Sequence, residues 1–390
     1  MKYYILAFIL ITVVLAVLPG CGSPQGEIKI DTDFERMLGY VPYEFSEEYP
    51  VMFGNPGKAK EIYDIEDITS YEDVVSFSDD ERRNQVKVVL ETHRAIPDWA
   101  LHPELLTLAG FDGFMFDRII SIGNAPPGLY YIIEGSFDEE LITGKLIEQG
   151  YSKQEYGQYE YYAIRGDFEL GLEQYLGRIA MSSLNRVAVL DDMLVTSPAT
   201  DVISGIFDTM DGSNKSIIDN PACLALADSL GDVLLGVICL PETIIYVYPN
   251  ESNAPNFDFQ VPADWEKLNG YGMAALGYRA EGDDRYFDIA LYYDDSRDAE
   301  SDGELIIIRM WSYSLYTWLY DFENIPFTER YEPGEPVITS YPQGAVLKIS
   351  CRLIPEGKHD ISMLMGAGGI PIRDLLFLAP DPSPYIGENE

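Results

Sequence analysis

The chain has 390 residues, 47% of them hydrophobic, which is ample for a packed core and long enough for two domains. Acidic side chains outnumber basic ones by 65 to 26, for a formal net charge of -39. A surface of that sign repels phosphate backbones and anionic headgroups, which excludes nucleic-acid binding as a function class.

The chain opens with Lys2, an uncharged apolar run over residues 3–18, and Pro19-Gly20-Cys21. A positive start, an apolar stretch and small residues at a cleavage point make an export signal. Leu18-Pro19-Gly20-Cys21 resembles the lipobox of prokaryotic lipoproteins, although Pro19 departs from the residue favoured there. The resemblance implies a signal peptide over residues 1–20, lipid attachment at Cys21, and an extracytoplasmic protein anchored to the cell membrane. The alternative, an uncleaved span, needs about 20 apolar residues, and Pro19-Gly20 interrupts the run first. Residues 21–36 are polar and lack apolar periodicity, so they read as a tether. Residues 37–128 carry Gly and Pro punctuation and few clean periods.

Residues 129–134 then read as a strand. Ser136 with Glu139 three positions on forms a capping box for a helix that Gly150 closes. Residues 159–164, 186–190 and 193–196 are further strands, with Asp191-Asp192 as a hairpin turn. Ser197-Pro198 opens a second helix whose Val202, Ile203, Ile206, Phe207 and Met210 share one face. Asn220-Pro221 starts a third, apolar nearly all round and therefore buried, before a strand over 233–240. Residues 249–262, rich in Asn and Pro, form a linker. Beyond it come a hairpin (271–278 and 285–293), a long helix from Ser296 toward Tyr320, and a strand over 346–353.

This order predicts an α+β protein of tandem ferredoxin-like (split βαβ) units, antiparallel sheets with helices on one face. The first α+β domain spans 37–248, with its clearest unit at 129–240, and the second spans 263–390.

Gly135-Ser136-Phe137, Gly150-Tyr151, residues 159–161 and 187–190, and the turn over 216–221 resemble a family of prokaryotic lipoproteins of unknown activity. Those proteins carry repeated α+β units behind a lipobox. The resemblance covers residues 110–240 well and the rest loosely; it implies the fold and supplies no activity.

Chemistry is sparse. The three histidines, His93, His102 and His359, form no zinc spacing with each other or with cysteine. No G-x-S-x-G elbow, phosphate loop or dinucleotide fingerprint is present, so no catalytic residue, cofactor or metal site is assigned. Asp298, Glu300 and Asp302 follow the start of a calcium loop, but Arg309 replaces the bidentate Glu, and first-turn acids also suit a helix dipole. With Cys21 lipidated, Cys223, Cys239 and Cys351 remain; Cys239 with Cys351 is the disulfide to check, buried free thiols being the alternative. Trp311, Tyr313, Tyr316 and Trp318 cluster near the end of the long helix, as core packing or as a partner surface. The expectation is a non-enzymatic binding or scaffolding protein at the cell surface with a protein or envelope partner. A solute-binding lipoprotein serving a transporter, and an envelope hydrolase using a carboxylate pair, are the alternatives.

Overall fold

The computed structural model describes residues 30–70, 73–74, 96–123, 128–241, 268–312, 314–316 and 324–354. The chain divides into two compact units, Met1–Asp31 and Thr32–Glu390, and every element below belongs to the second. That unit starts earlier than the expected tether allows. Helix α1, Asp33–Leu38, opens on a reciprocal capping box in which Thr32 Oγ1 accepts from Glu35 N and Glu35 Oε2 accepts from Thr32 N. Its Phe34, Met37 and Leu38 recur at helical spacing and are buried, so the folded body begins at Thr32.

Among the described residues, thirteen strands form one sheet: β1 (Val51–Gly54), β2 (Phe116–Ile122), β3 (Tyr130–Gly135), β4 (Ser152–Tyr156), β5 (Tyr159–Ala163), β6 (Arg186–Leu190), β7 (Met193–Ser197), β8 (Leu235–Cys239), β9 (Met273–Glu281), β10 (Asp284–Tyr293), β13 (Tyr331–Pro333), β14 (Val337–Tyr341) and β15 (Gly344–Leu353). A separate ribbon pairs β11 (Ser314–Tyr316) with β12 (Asn324–Pro326). The main sheet runs β13-β15-β10-β9-β8-β1-β2-β3-β7-β6-β5-β4, with β14 beside β13 on the outer edge of β15. Its described pairs are all antiparallel. The protein is therefore α+β, built on a large antiparallel sheet. Because β8 pairs with β9, strands from both sides of the expected linker feed the same sheet.

The other helices among the described residues are α2 (Pro56–Ile62), α3 (Leu105–Ala109), α4 (Glu139–Glu148), α5 (Tyr175–Ala180), α6 (Thr200–Met210), α7 (Pro221–Leu230), α8 (Ser296–Ser312) and α9 (Phe327–Arg330). They cover both faces, which corrects the expectation of helices on one face. Successive residues of β3 show why: Tyr130 and Ile132 enter one core, Tyr131 and Ile133 the other. Strands apolar on both sides must be covered on both. The core holding Tyr130 and Ile132 is closed by α1, α6 and α7 through Phe34, Phe207 and Leu226. The opposite core is closed by α2–α5, α8 and α9, through residues such as Leu105, Ile142, Leu176 and Ile306.

The connections across helices differ between the halves. From β10, α8 leads to β14, and the returning β15 lies between β10 and β14. From β3, α4 leads to β4, but β7, β6 and β5 intervene. Strand β4 is exposed along its length and carries no apolar alternation, so its sequence gives no period-2 signal. Two helix ends also differ from expectation. Asp138 rather than Ser136 caps α4, accepting from Leu141 N at 3.0 Å. Helix α8 stops at Ser312, well short of Tyr320, and the chain turns into β11.

Candidate functional site

Cys21, Tyr313 and Trp318 lie outside the described residues, and Tyr316 falls on β11. Trp311, at the last turn of α8, is 66% exposed and so is no part of the core. The candidate calcium ligands sit on a helix rather than a loop. Asp298 and Glu300 face solvent, while Asp302 is buried and accepts from Asn269 N, Asn269 Nδ2 and Tyr293 Oη at 2.8–3.0 Å. Residues two apart on a helix point to opposite sides, so Glu300 cannot join the other two. Among the described residues, no three acidic, His or Cys side chains are placed to hold a metal ion.

Cys239 and Cys351 are buried on the same face of the sheet. They stand on β8 and β15, with β9 and β10 between them. Three interstrand steps of about 4.8 Å far exceed the separation a disulfide can span, so the expected pairing is corrected. Burial pushes the Cys351 thiol well above its ordinary pKa, so it stays protonated.

Burial also raises two carboxyls, Asp112 and Asp302. Asp112 precedes β2 and accepts from Phe114 N, whereas α8, which carries Asp302, packs on β10 and β15. Three strands separate β2 from β10, so these two groups do not make a facing pair.

What the structure assembles instead is the segment between β5 and β6, residues 164–185. Three non-glycine residues there have left-handed φ: Arg165 at 66°, Phe168 at 58° and Met181 at 52°. Such conformations cost of order 1–3 kcal/mol each and persist only where the surroundings fix them. Here they are fixed densely. The Arg165 guanidinium lies over Gly171 and reaches Glu173 and Gln174. A Cβ at Gly171 would strike that guanidinium, and one at Gly177 would strike the Gly171 carbonyl oxygen. Asn185 Nδ2 donates to the carbonyls of Gly166 and Glu169, and Phe168 N donates to Pro198 O at 2.9 Å. Asp167 accepts from Thr200 N and Oγ1 at 3.0 Å and pairs with Arg186. It thereby supplies the side-chain acceptor that Ala199, at the N-cap of α6, lacks.

This frame turns apolar side chains outward. Phe168, Leu170, Leu172, Tyr175 and Met181 are exposed, Leu172 at 57%. Tyr175 is also held, by an edge contact and a 3.3 Å hydrogen bond with His102 and by Arg178 over its ring. Apolar groups clustered on a fixed, water-facing loop are the kind of patch that marks interaction surfaces. Sequence reading had one signal available, the alternation Phe168-Glu169-Leu170-Gly171-Leu172, but alternation by itself points to a strand.

No family model matches this chain, and no curated protein matches it. Solved structures do align. Crystal form III of TP0453 aligns with a TM-score of 0.34 and 8% identity, over 83% of this chain and 94% of that one. Form IV gives 0.33 and 8% over 80% and 92%, and form I gives 0.30 and 7% over the same shares. Scores at that level carry no argument about this chain's fold or work.

Proposed function

We propose that this protein is a lipid-anchored, extracytoplasmic binding or scaffolding protein without enzymatic activity, held to the membrane through Cys21. It belongs, on this reading, with the prokaryotic lipoproteins its sequence resembles. The observation that carries the binding role is the loop over residues 164–185, where left-handed backbone and a set of hydrogen bonds hold five apolar side chains in water. A loop ordered in advance avoids part of the entropy cost of association. Trp311, exposed at the end of α8, is a second candidate contact.

We also infer a tandem ferredoxin-like ancestry for the sheet. On this reading, residues 284–353 follow the split order through β10, α8, β14 and β15 with β11, β12, α9 and β13 inserted, and 129–240 follow it with a hairpin, β6-β7, added between β3 and β5. Strand order supports this reading.

The anchor is tested by membrane fractionation and intact mass of wild type and Cys21→Ala. Wild type is expected in the membrane and heavier by acyl groups, and the variant in the soluble fraction without them. More than one acyl chain is needed for stable anchoring, each buried methylene contributing about 0.8 kcal/mol. Identical partitioning of the two would remove both the anchor and the localisation.

A further inference from the structure

The sheet ends at β4, and among the described residues no strand pairs with its outer edge. Every residue of β4 is exposed. Tyr156 stands opposite Tyr159 across the turn Gly157-Gln158, in which Gly157 has φ 58°. The pair that closes such a turn exchanges both of its backbone hydrogen bonds, and the ladder alternates from there. Ser152, Gln154 and Tyr156 therefore bond to β5, while the backbone N–H and C=O groups of Lys153 and Glu155 point to the free edge. Side chains alternate as well. Lys153 and Glu155 share a face with Tyr162 and Glu160 of β5, the face on which Ile142 and Leu146 of α4 enter the core. Charge on that face is unbalanced. Lys153 pairs with Glu160 at 2.6 Å, and Glu155 stands directly opposite Glu160 with the same sign. Like charges so placed are unfavourable.

We propose that β4 is a dimerisation edge, taken up by β4 of a second copy of this chain, antiparallel about a two-fold axis through Gln154. An unpaired edge is a template for another strand, and a two-fold contact must be complementary to itself. Charge selects the register. Centred on Lys153 or on Glu155, the pairing sets that residue against its own copy, like charge on like. Centred on Gln154, it sets Lys153 opposite the partner's Glu155 and Glu155 opposite the partner's Lys153. The outward N–H groups of both residues then meet outward carbonyls of the other copy, as in a hydrogen-bonded antiparallel pair. The second copy also brings a lysine to the Glu155 that Glu160 repels. A lysine alone on an edge keeps other strands away, but opposite charges at alternate positions match when the strand is reversed. The net charge of -39 opposes approach of two copies. At physiological ionic strength that repulsion is screened beyond about 8 Å, and within this range the edge presents both signs. One short strand makes a small contact, so the dimer is a dissociable one. The inference rests neither on the apolar loop nor on the lipid anchor.

The test is disulfide trapping on the purified full chain under mild oxidation, with the unsubstituted chain giving the background from its own cysteines. In the proposed register Gln154 meets its own copy at a non-hydrogen-bonded pair, where Cα atoms lie about 4.5 Å apart and a disulfide can close. Gln154→Cys should give a covalent dimer. Ser152→Cys, opposite the partner's Tyr156 and far from its own copy, should stay at background. Adding Glu155→Lys to Gln154→Cys should cut the trapped dimer about tenfold, because lysine then faces lysine. That change also removes the Glu155–Glu160 repulsion, so the hairpin itself is not weakened. Adding Lys153→Glu as well exchanges the two charges and should restore trapping. A Gln154→Cys chain that stays monomeric, equal trapping from Ser152→Cys, indifference to Glu155→Lys, or no recovery with Lys153→Glu would each overturn the dimer edge.

Discussion

Replacing Asp288 with alanine is expected to destabilise the protein by about 3–5 kcal/mol, the usual cost of breaking a buried ion pair from one side. Asp288 is wholly buried on β10, and its Oδ2 accepts from Arg279 Nε at 2.7 Å and pairs with Lys348 Nζ at 3.1 Å. Register explains the meeting: Lys348 on β15 is opposite Ala290, and Arg279 on β9 is opposite Tyr286, each one step along from Asp288 on the same face. Both cations have further duties. Arg279 stacks over Tyr286 at 4.2 Å, and Lys348 donates to Ser229 O at 2.7 Å, tying the sheet to α7. Without the carboxylate, Lys348 loses its ionic partner, and Arg279 keeps only its pair with the more exposed Glu281. Urea unfolding of Asp288→Ala beside Lys348→Met and the double variant would show this. The double variant should recover part of the loss, because one stranded charge is gone. A single-variant loss below about 1 kcal/mol would mean that water reaches the pair, as it does at surface salt bridges.

Gly177→Ala is the second large effect, and it acts on the loop alone. The added methyl has no room beside the Gly171 carbonyl oxygen, and backbone on both sides prevents a simple side-chain adjustment. Over-packing of this kind costs about 1–3 kcal/mol. Its expected signature is local: faster hydrogen exchange and proteolysis within residues 164–181, with β3, β7 and β8 as protected as before. The same variant should lose partner binding although every outward apolar side chain is retained. Truncating Leu172 instead should weaken binding while leaving loop protection intact. Protection unchanged in Gly177→Ala would show that the loop owes little to the Gly171–Gly177 contact.

Part of the second half is legible because the hairpin and the last strand obey simple periods, whereas the short elements β11, β12, α9, β13 and β14 carry no such signal. The hairpin β9-β10 was placed nearly to its ends, with Gly282 at φ 59° in the turn, and β15 was found from its apolar run. Helix α7 was placed by Asn220 and Pro221, and Asn220 Oδ1 does accept from Ala222 N at 3.0 Å. Failures came where long-range packing decides. Strand β4 has Ser, Lys, Gln, Glu and Tyr in a row and is placed by pairing with β5 and by Tyr156 Oη donating to Asp208 on α6. The two-faced covering of the sheet was written into the continuous apolar runs of β3 and β8, but which helix takes which face depends on the path of the whole chain. At the level of sites, Trp311 was singled out and is exposed, whereas the Cys239–Cys351 pairing fails on sheet order, which no spacing reveals. The apolar loop was missed because its shape comes from residues distant in sequence, Asn185 and Thr200 among them.

The most direct test of the account is site-specific photo-crosslinking in intact envelopes, with a photoreactive side chain at position 172 in the lipid-anchored chain. A control carries the same group at Glu148, on the exposed side of α4. The account predicts a discrete adduct from position 172 that is absent from the control and disappears when Gly177→Ala is added. Equal labelling from both positions, or an adduct that survives Gly177→Ala unchanged, would contradict the claim that this ordered loop is the binding surface.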